Sequence, residues 1–349
     1  MTILQTTFVS SSDGMQTNSQ ESGFSYPYAA ENDSRLKELI DVLYTTKLGK
    51  ELLDDAEKYG TKITTAVLNG AHGAYDDEAN VVMLGSNGSF DRQITTLAHE
   101  LRHAQQFKNG VQLNALTDVP KDYLHSQWTI EADANVASCL VAWDLKQQGN
   151  PGPMQAFAQE NGHITKPFEA AAEKGGIENN LAQKEAFRAW FTDMGIRDAY
   201  ESNYLRNFER RKRNASSAER DAALQRSVPI TENVAKVCRT DGKPYLTEKE
   251  AKDFFDRPEM SSVKHETFWA IYRNLRDVKH FDLLSDAKEI MKKEGNFSIR
   301  ESAYYEISRP SLKQRQTQAA AKIAEHKEKH SVSVLTAALV AQRKNMLGK

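Results

Sequence analysis

Hydrophobic positions along this chain follow helical spacing almost everywhere, with one interruption in the N-terminal third. Leu36, Leu39, Ile40 and Leu43 recur at three- and four-residue intervals behind Asn32-Asp33-Ser34, side chains suited to a helix N-cap. Leu48, Leu52 and Ala56 carry a second helix to Tyr59-Gly60. The texture then turns β-branched. Thr61 to Leu68 predicts a strand ending at Asn69-Gly70, Gly73 to Tyr75 a short second strand, and Asp76 to Glu78 a turn. Asn80 to Leu84 predicts a third strand, expected as an exposed edge.

Helical spacing resumes between Ser86-Asn87-Gly88-Ser89, which supplies an N-cap, and Asn109-Gly110, which supplies a stop. A polar loop is expected through Pro120 to about Gln127, then a strong helix from Trp128 to Gly149, broken by Asn150-Pro151-Gly152-Pro153. Helical segments follow at 153–161, 167–174, 179–194, 198–213 and 215–226. From Val228 to Arg309 short helices are punctuated by Pro229, Asp241-Gly242, Pro244 and Pro258. The predicted class is α+β, predominantly α: a small antiparallel or mixed sheet packed on the 86–110 helix, then a helical C-terminal region. The expected organisation is a disordered leader over 1–31, a catalytic domain over 32–205, a helical accessory region over 206–310 and a basic helical tail over 311–349.

Composition narrows the compartment and the partners. A net charge of −2 argues against a nucleic-acid partner, which requires a basic excess. The local cluster Arg210-Arg211-Lys212-Arg213 reads as a solvated helix face. Two cysteines, Cys139 and Cys238, build no disulfide framework; Cys139 lies among apolar neighbours and reads as core. No run reaches the ~20 apolar residues of a membrane helix, so no transmembrane segment is expected. Met1 to Ser34 holds no Lys or Arg, hence no n-region of a secretory signal. The expected location is cytoplasmic, with a specialised, signal-peptide-independent secretion system as the other route compatible with such a leader. Residues 311–349 carry eight Lys or Arg against two Glu.

The candidate chemistry sits in Leu97-Ala98-His99-Glu100-Leu101-Arg102-His103. Histidines four apart on a helix stack one turn above each other and can share one cation, while the Glu after the first can take a proton from water beside it. At ~100° per residue, Ile94, Leu97, Ala98, Leu101 and Ala104 fall on one side of the helix and the imidazoles on the other, so a cleft-lining face is expected. Zinc held by two imidazoles needs a third protein ligand and leaves one position open. No His or Asp follows between Ala104 and Leu113; the next suitable carboxylates are in Glu131-Ala132-Asp133, 28 residues after His103. Side chains two apart on a helix diverge by ~200°. Glu131 shares a narrow face of small and polar residues with Asn135, Ser138 and Ala142 and is chosen as ligand; Asp133, on the far side, is expected either to anchor a loop or to bond the helix's first turn. Tyr123, His125, His163, Tyr200 and Tyr204 are weaker candidates for stabilising an oxyanion, and Gln106 for bracing the ligands from behind.

The order strand, His-Glu-x-x-His helix, then a helix opening Glu-Ala-Asp resembles the small glutamate-zincins of bacteria, including the ImmA/IrrE-type peptidases. The resemblance covers about residues 61–149 and is carried by His99, Glu100, His103 and Glu131. It implies a small sheet over the active-site helix, an edge strand that aligns an extended peptide, and zinc as cofactor. Many of these enzymes place an Asp four residues after the ligand Glu to bond a ligand imidazole; here that position is Asn135. The function so implied is a zinc-dependent peptidase acting on a protein or peptide, with Glu100 catalytic and His99, His103 and Glu131 as metal ligands. The alternative is a non-catalytic, zinc-braced interaction or effector protein whose helical C-terminal half binds a partner.

Overall fold

In the computed structural model the described residues are 33–264, together with 266, 267, 269, 270, 273 and the strand Ile299–Arg300. The leader over 1–31 and the basic tail over 311–349 lie outside them. Helices α1 (Ser34–Tyr44) and α2 (Lys47–Lys58) form as their spacing predicts, the first capped by the Asp33 carboxylate, the second by the Thr46 hydroxyl. Their buried leucines pack on the helix that carries the two histidines.

Three strands follow: β1 (Lys62–Ala66), β2 (Gly73–Asp76) and β3 (Val81–Gly85), in the spatial order β1-β3-β2. β3 runs parallel to β1, with Ile63 opposite Val82, and antiparallel to β2, with Tyr75 opposite Val82. The expectation that 80–84 forms an exposed edge is therefore wrong: β3 is the central strand. A run of Val and Leu is what a strand paired on both sides uses. Asn80 turns the chain between β2 and β3 at a φ of 54°. Its side chain accepts from the Thr61 and Tyr75 hydroxyls and donates to the Tyr59 carbonyl, which fixes the register of all three strands.

Helix α3 (Phe90–Lys108) starts at the Ser89 cap, whose hydroxyl accepts from the Arg92 amide, and stops before Gly110, at a φ of 90°. It is the hub, packing on α1, α2, β2 and β3. Every residue from Arg92 to Gln106 is buried, so the imidazole face does not open onto solvent as its amphipathic pattern suggested. Helix α4 (Pro120–Gln147) covers that face and begins eight residues before the expected start at Trp128. Pro120 at the first helical position is preorganised for a helix, and Tyr123 and Leu124 extend the buried stripe to Trp128.

Beyond the 150–153 break come α5 (Gly152–Ala172), α6 (Leu181–Trp190) and α7 (Met194–Asn214). The two helices predicted at 153–161 and 167–174 are one rod, kinked at Asn161 and with Pro167 inside it. The basic cluster on α7 makes contacts within its own helix, Lys212 to Glu209 and Arg210 to Asn207. Helices α8 (Ser217–Asp221) and α9 (Ile230–Val237) lead to a two-stranded hairpin, β4 (Arg239–Thr240) and β5 (Lys243–Pro244), around Asp241-Gly242. Helix α10 (Glu248–Phe255) carries a capping box between Thr247 and Glu250. Next come α11 (Pro258–Ser261) and β6 (Val263–Lys264), the latter paired in parallel with β7 (Ile299–Arg300). Cys139 and Cys238 are both buried and unbridged. Among the described residues no helix is long and apolar enough to cross a membrane.

Candidate metal centre

Helix α4 crosses the imidazole face of α3 through small residues. The Ser138 hydroxyl donates to the Thr95 carbonyl at 2.9 Å, so the two backbones approach closely one turn away from His99. That approach carries Glu131, two turns earlier on the same face, up to both rings. One Glu131 carboxylate oxygen lies 3.4 Å from His99 Nε2 and 3.7 Å from His103 Nε2, and the two Nε2 atoms are 3.0 Å apart. The rings stand edge to face, at 84°. All three side chains are buried, and their ligand atoms lie within 4.8 Å of one another.

The donor set fits a divalent cation of zinc's preferences. Bonds of ~2.05 Å in a tetrahedral arrangement put neighbouring donors about 3.3 Å apart, and the observed 3.0, 3.4 and 3.7 Å bracket that spacing. Two orphaned acceptors point the same way: Glu131 Oε1 and Glu100 Oε2 are buried without a hydrogen-bond partner among the described residues. The protein's own charges also ask for a cation. Burial disfavours a charged His103, but the Glu131 carboxylate outweighs it and holds His103 up at about 9. Burial would raise Glu131 too, yet the imidazoles depress it to about 2. Burial pushes His99 down. Without metal the cluster thus stores one proton between Glu131 and His103.

Behind the ligands stands a second layer of polar contacts. His103 Nδ1 donates to Gln106 Oε1 at 2.9 Å, which leaves Nε2 facing Glu131. The Gln106 amide donates in turn to the Ile130 carbonyl and, at 2.6 Å, to Asp133. Asp133 is also gripped by Arg102 at 2.7 and 3.1 Å and by the Tyr245 hydroxyl at 2.9 Å. Arg102 donates to the Val237 carbonyl as well, which ties α3 and α4 to the end of α9. Of the two roles expected of Asp133, the structure shows the anchoring of a distant segment, through Tyr245, and it braces a ligand through Gln106 besides. Asn135 does not take the role of the missing carboxylate: its amide donates to the Glu131 carbonyl and its oxygen has no partner.

Glu100 sits on the sheet side of the histidines. A Cβ placed on Gly73 of β2 would come 2.8 Å from Glu100 Cγ, so the strand needs glycine there for the carboxylate to pass. Burial raises Glu100 to about 8. Beside it is a cavity of about 10 Å³, bordered by His99, Glu100, Ser138 and Phe157, with room for one water.

None of the five oxyanion candidates borders this cavity. Tyr123 and Tyr204 pack on each other at a tilt, His125 stacks on Phe255, and Tyr200 packs on Trp190, all as core. His163 is half-buried elsewhere on α5. Arg102 and Tyr245 escaped the sequence reading. Arg102 is hidden inside the His-Glu-x-x-His motif as an unremarked middle residue, and Tyr245 is 112 residues from Asp133.

Above pH 4.5 His103 and Glu100 make metal-free stability fall with rising pH, and the lowered His99 opposes them only below pH 6.5. Raised to about 9 from 6.5, His103 stabilises the fold below pH 6.5 and loses that contribution as pH climbs through 9. Glu100, raised from 4.5 to about 8, opposes folding as it ionises, so it acts in the same direction between those values. Glu131, depressed from 4.5 to about 2, destabilises only as pH falls below 4.5. The chelated protein should therefore show its highest thermal midpoint near pH 4.5–6.5 and a lower one at pH 9, while stoichiometric metal should flatten the alkaline limb. Equal slopes in both forms would contradict this account.

A model of the family described as "Putative metallopeptidase family (DUF6782)" matches residues 16–247, about two thirds of the chain. Comparison with curated proteins and with solved structures gave no match.

Proposed function

The chain belongs to this metallopeptidase family, and on that premise we propose that it is a zinc-dependent peptidase of the glutamate-zincin type. In this reading His99, His103 and Glu131 hold the metal and Glu100 is the general base. The observation that carries it is the buried convergence of two imidazole nitrogens and one carboxylate oxygen, next to a second carboxylate that stays out of the convergence. A site that only braced two helices would have no use for Glu100.

Zinc, when bound, would polarise the scissile carbonyl and lower the pKa of the attacking water. The chain's own part is proton management and alignment. Glu100 accepts the water's proton and returns it to the leaving amine; an environment that favours its protonated form strengthens it as a base in the first of those steps. Gln106 and Asp133 keep His103 Nε2 aimed at the metal. The segment around Tyr245 and Val237 belongs to the accessory region, so that region serves the catalytic core over 32–205 as a brace. An extended substrate would add along β2, the terminal strand beside Glu100, rather than along β3.

Elemental analysis of chelator-free protein should find about one zinc per chain, and hydrolysis of peptide pools should stop on chelation and return with zinc. Metal-free protein that still cleaves peptides would overturn the reading. Gly73→Ala probes the strand. Its methyl group must push Glu100 or Thr96 aside, and misplacing a catalytic group by ~1 Å can cost 10²-fold. We expect kcat/KM to fall by about that factor with zinc content unchanged; unaltered kinetics would separate β2 from the reaction.

A further inference from the structure

The peptidase reading leaves Arg92 unexplained. It stands two turns before His99 on α3 and projects from the same helical face as both histidines. It is 6% exposed. Its Nη2 donates to Glu160 of α5 at 2.7 Å, and its guanidinium lies over the Phe157 ring at 5.3 Å. Its Nε and Nη1 are buried and have no hydrogen-bond partner among the described residues. Arg92 also borders the small cavity that His99 and Glu100 share. A guanidinium stripped of water with two donor groups unmet is costly, and an acceptor brought to its Nε would relieve part of that cost.

Glu160 has a different standing. It is about a third exposed (35%), lies 3.4 Å from His72 by its other oxygen, and immediately precedes Asn161, where the α5 backbone leaves helical geometry at φ −117° and ψ 32°. Glu160 is the partly exposed member of that pair and Arg92 the buried one, so Glu160 can turn to solvent only if another carboxylate takes its place on the guanidinium. The planar fork of arginine matches a carboxylate through two parallel N–H donors, here Nε and Nη2 once Glu160 has left.

Resting on the peptidase reading, we propose that Arg92 recognises a substrate carboxylate next to the scissile bond, and that Glu160 occupies its place in the substrate-free protein. The enzyme then prefers peptides with either an acidic side chain or a free C-terminal carboxylate at that position.

The test is binding of fluorescently labelled peptide pools to the zinc-loaded Glu100→Gln protein, read by anisotropy so that no turnover is needed. Three pools of equal length are compared: acidic residues with an amidated C-terminus, Asn and Gln with an amidated C-terminus, and Asn and Gln with a free C-terminus. One of the two carboxylate-bearing pools should bind at least about 10-fold tighter than the neutral pool, and which one does so identifies the source of the carboxylate. Adding Arg92→Gln should abolish the difference, and adding Glu160→Gln should enlarge it by removing the internal competitor. The Glu160→Gln arm stands by itself if the Arg92 variant fails to fold. Equal binding of all pools, no binding of any, or discrimination that survives Arg92→Gln would overturn the proposal. If Arg92 only ties α3 to α5, its variant lowers the thermal midpoint and leaves discrimination as it was. Wild-type hydrolysis of the neutral pool, undiminished relative to both carboxylate-bearing pools, would sink this inference while the peptidase reading stood.

Discussion

Glu100→Gln is expected to keep its zinc and its fold and to lose peptide hydrolysis by about 10²–10⁴-fold, the range general acid–base help supplies. The substitution preserves shape in a position where shape is constrained: the side chain is buried and threads past Gly73. It removes only the ability to carry a proton. Because burial raises Glu100 to about 8, the fold already favours its neutral form, so the amide should leave the thermal midpoint unchanged or raise it. Glu100 Oε2 has no protein partner to lose. Zinc content, thermal midpoint and kcat/KM together decide the matter. Activity close to wild type in a zinc-replete variant would remove Glu100 from the mechanism and leave the alternative of a zinc-braced binding protein.

The second large effect separates two carboxylates that are neighbours in sequence. Glu131→Ala should abolish stoichiometric zinc at micromolar protein, a larger loss than the ~10–100-fold that changes behind the ligands cost. Two imidazoles alone leave half of zinc's four positions to water. Asp133→Ala should show the smaller affinity loss, transmitted through Gln106, and a larger stability loss. It strands Arg102, a buried guanidinium that Asp133 neutralises, and breaking one partner of a buried pair costs about 3–5 kcal/mol. Competition titration with a chromophoric chelator and urea unfolding should therefore rank the two variants in opposite order. The reverse ranking would make Asp133 the ligand and Glu131 the brace.

Much of this was legible in the chain because it rests on local rules. Helix α3 has its start at Ser89 and its stop at Gly110 written in cap chemistry, and the spacing of His99 and His103 is a property of any helix. The choice of Glu131 over Asp133 followed from angular divergence on one helix, and the structure brings Glu131 to the histidines and Asp133 to Arg102 and Gln106. Local rules failed where an element's state depended on its neighbours. Residues 120–127 look like a polar loop until Tyr123 and Leu124 are seen continuing the stripe of α4.

What the sequence determined by itself, then, were the elements and the set of residues capable of metal chemistry, since periodicity, capping and side-chain type act within a few residues. Only the tertiary structure decided which strand lies beside Glu100, because sheet order depends on pairings between distant segments: β1 lies against β3, and β2 is left at the end with Gly73 over the carboxylate. Only the tertiary structure turned the imidazole face from an open cleft into a buried one. It did so by laying α4 across α3 through Ser138. The Arg102–Asp133–Tyr245 cluster likewise draws on α3, α4 and the turn before α10. Its members carry no mutual signal along the chain, and they meet because a guanidinium and a carboxylate taken out of water must find each other wherever the fold buries them.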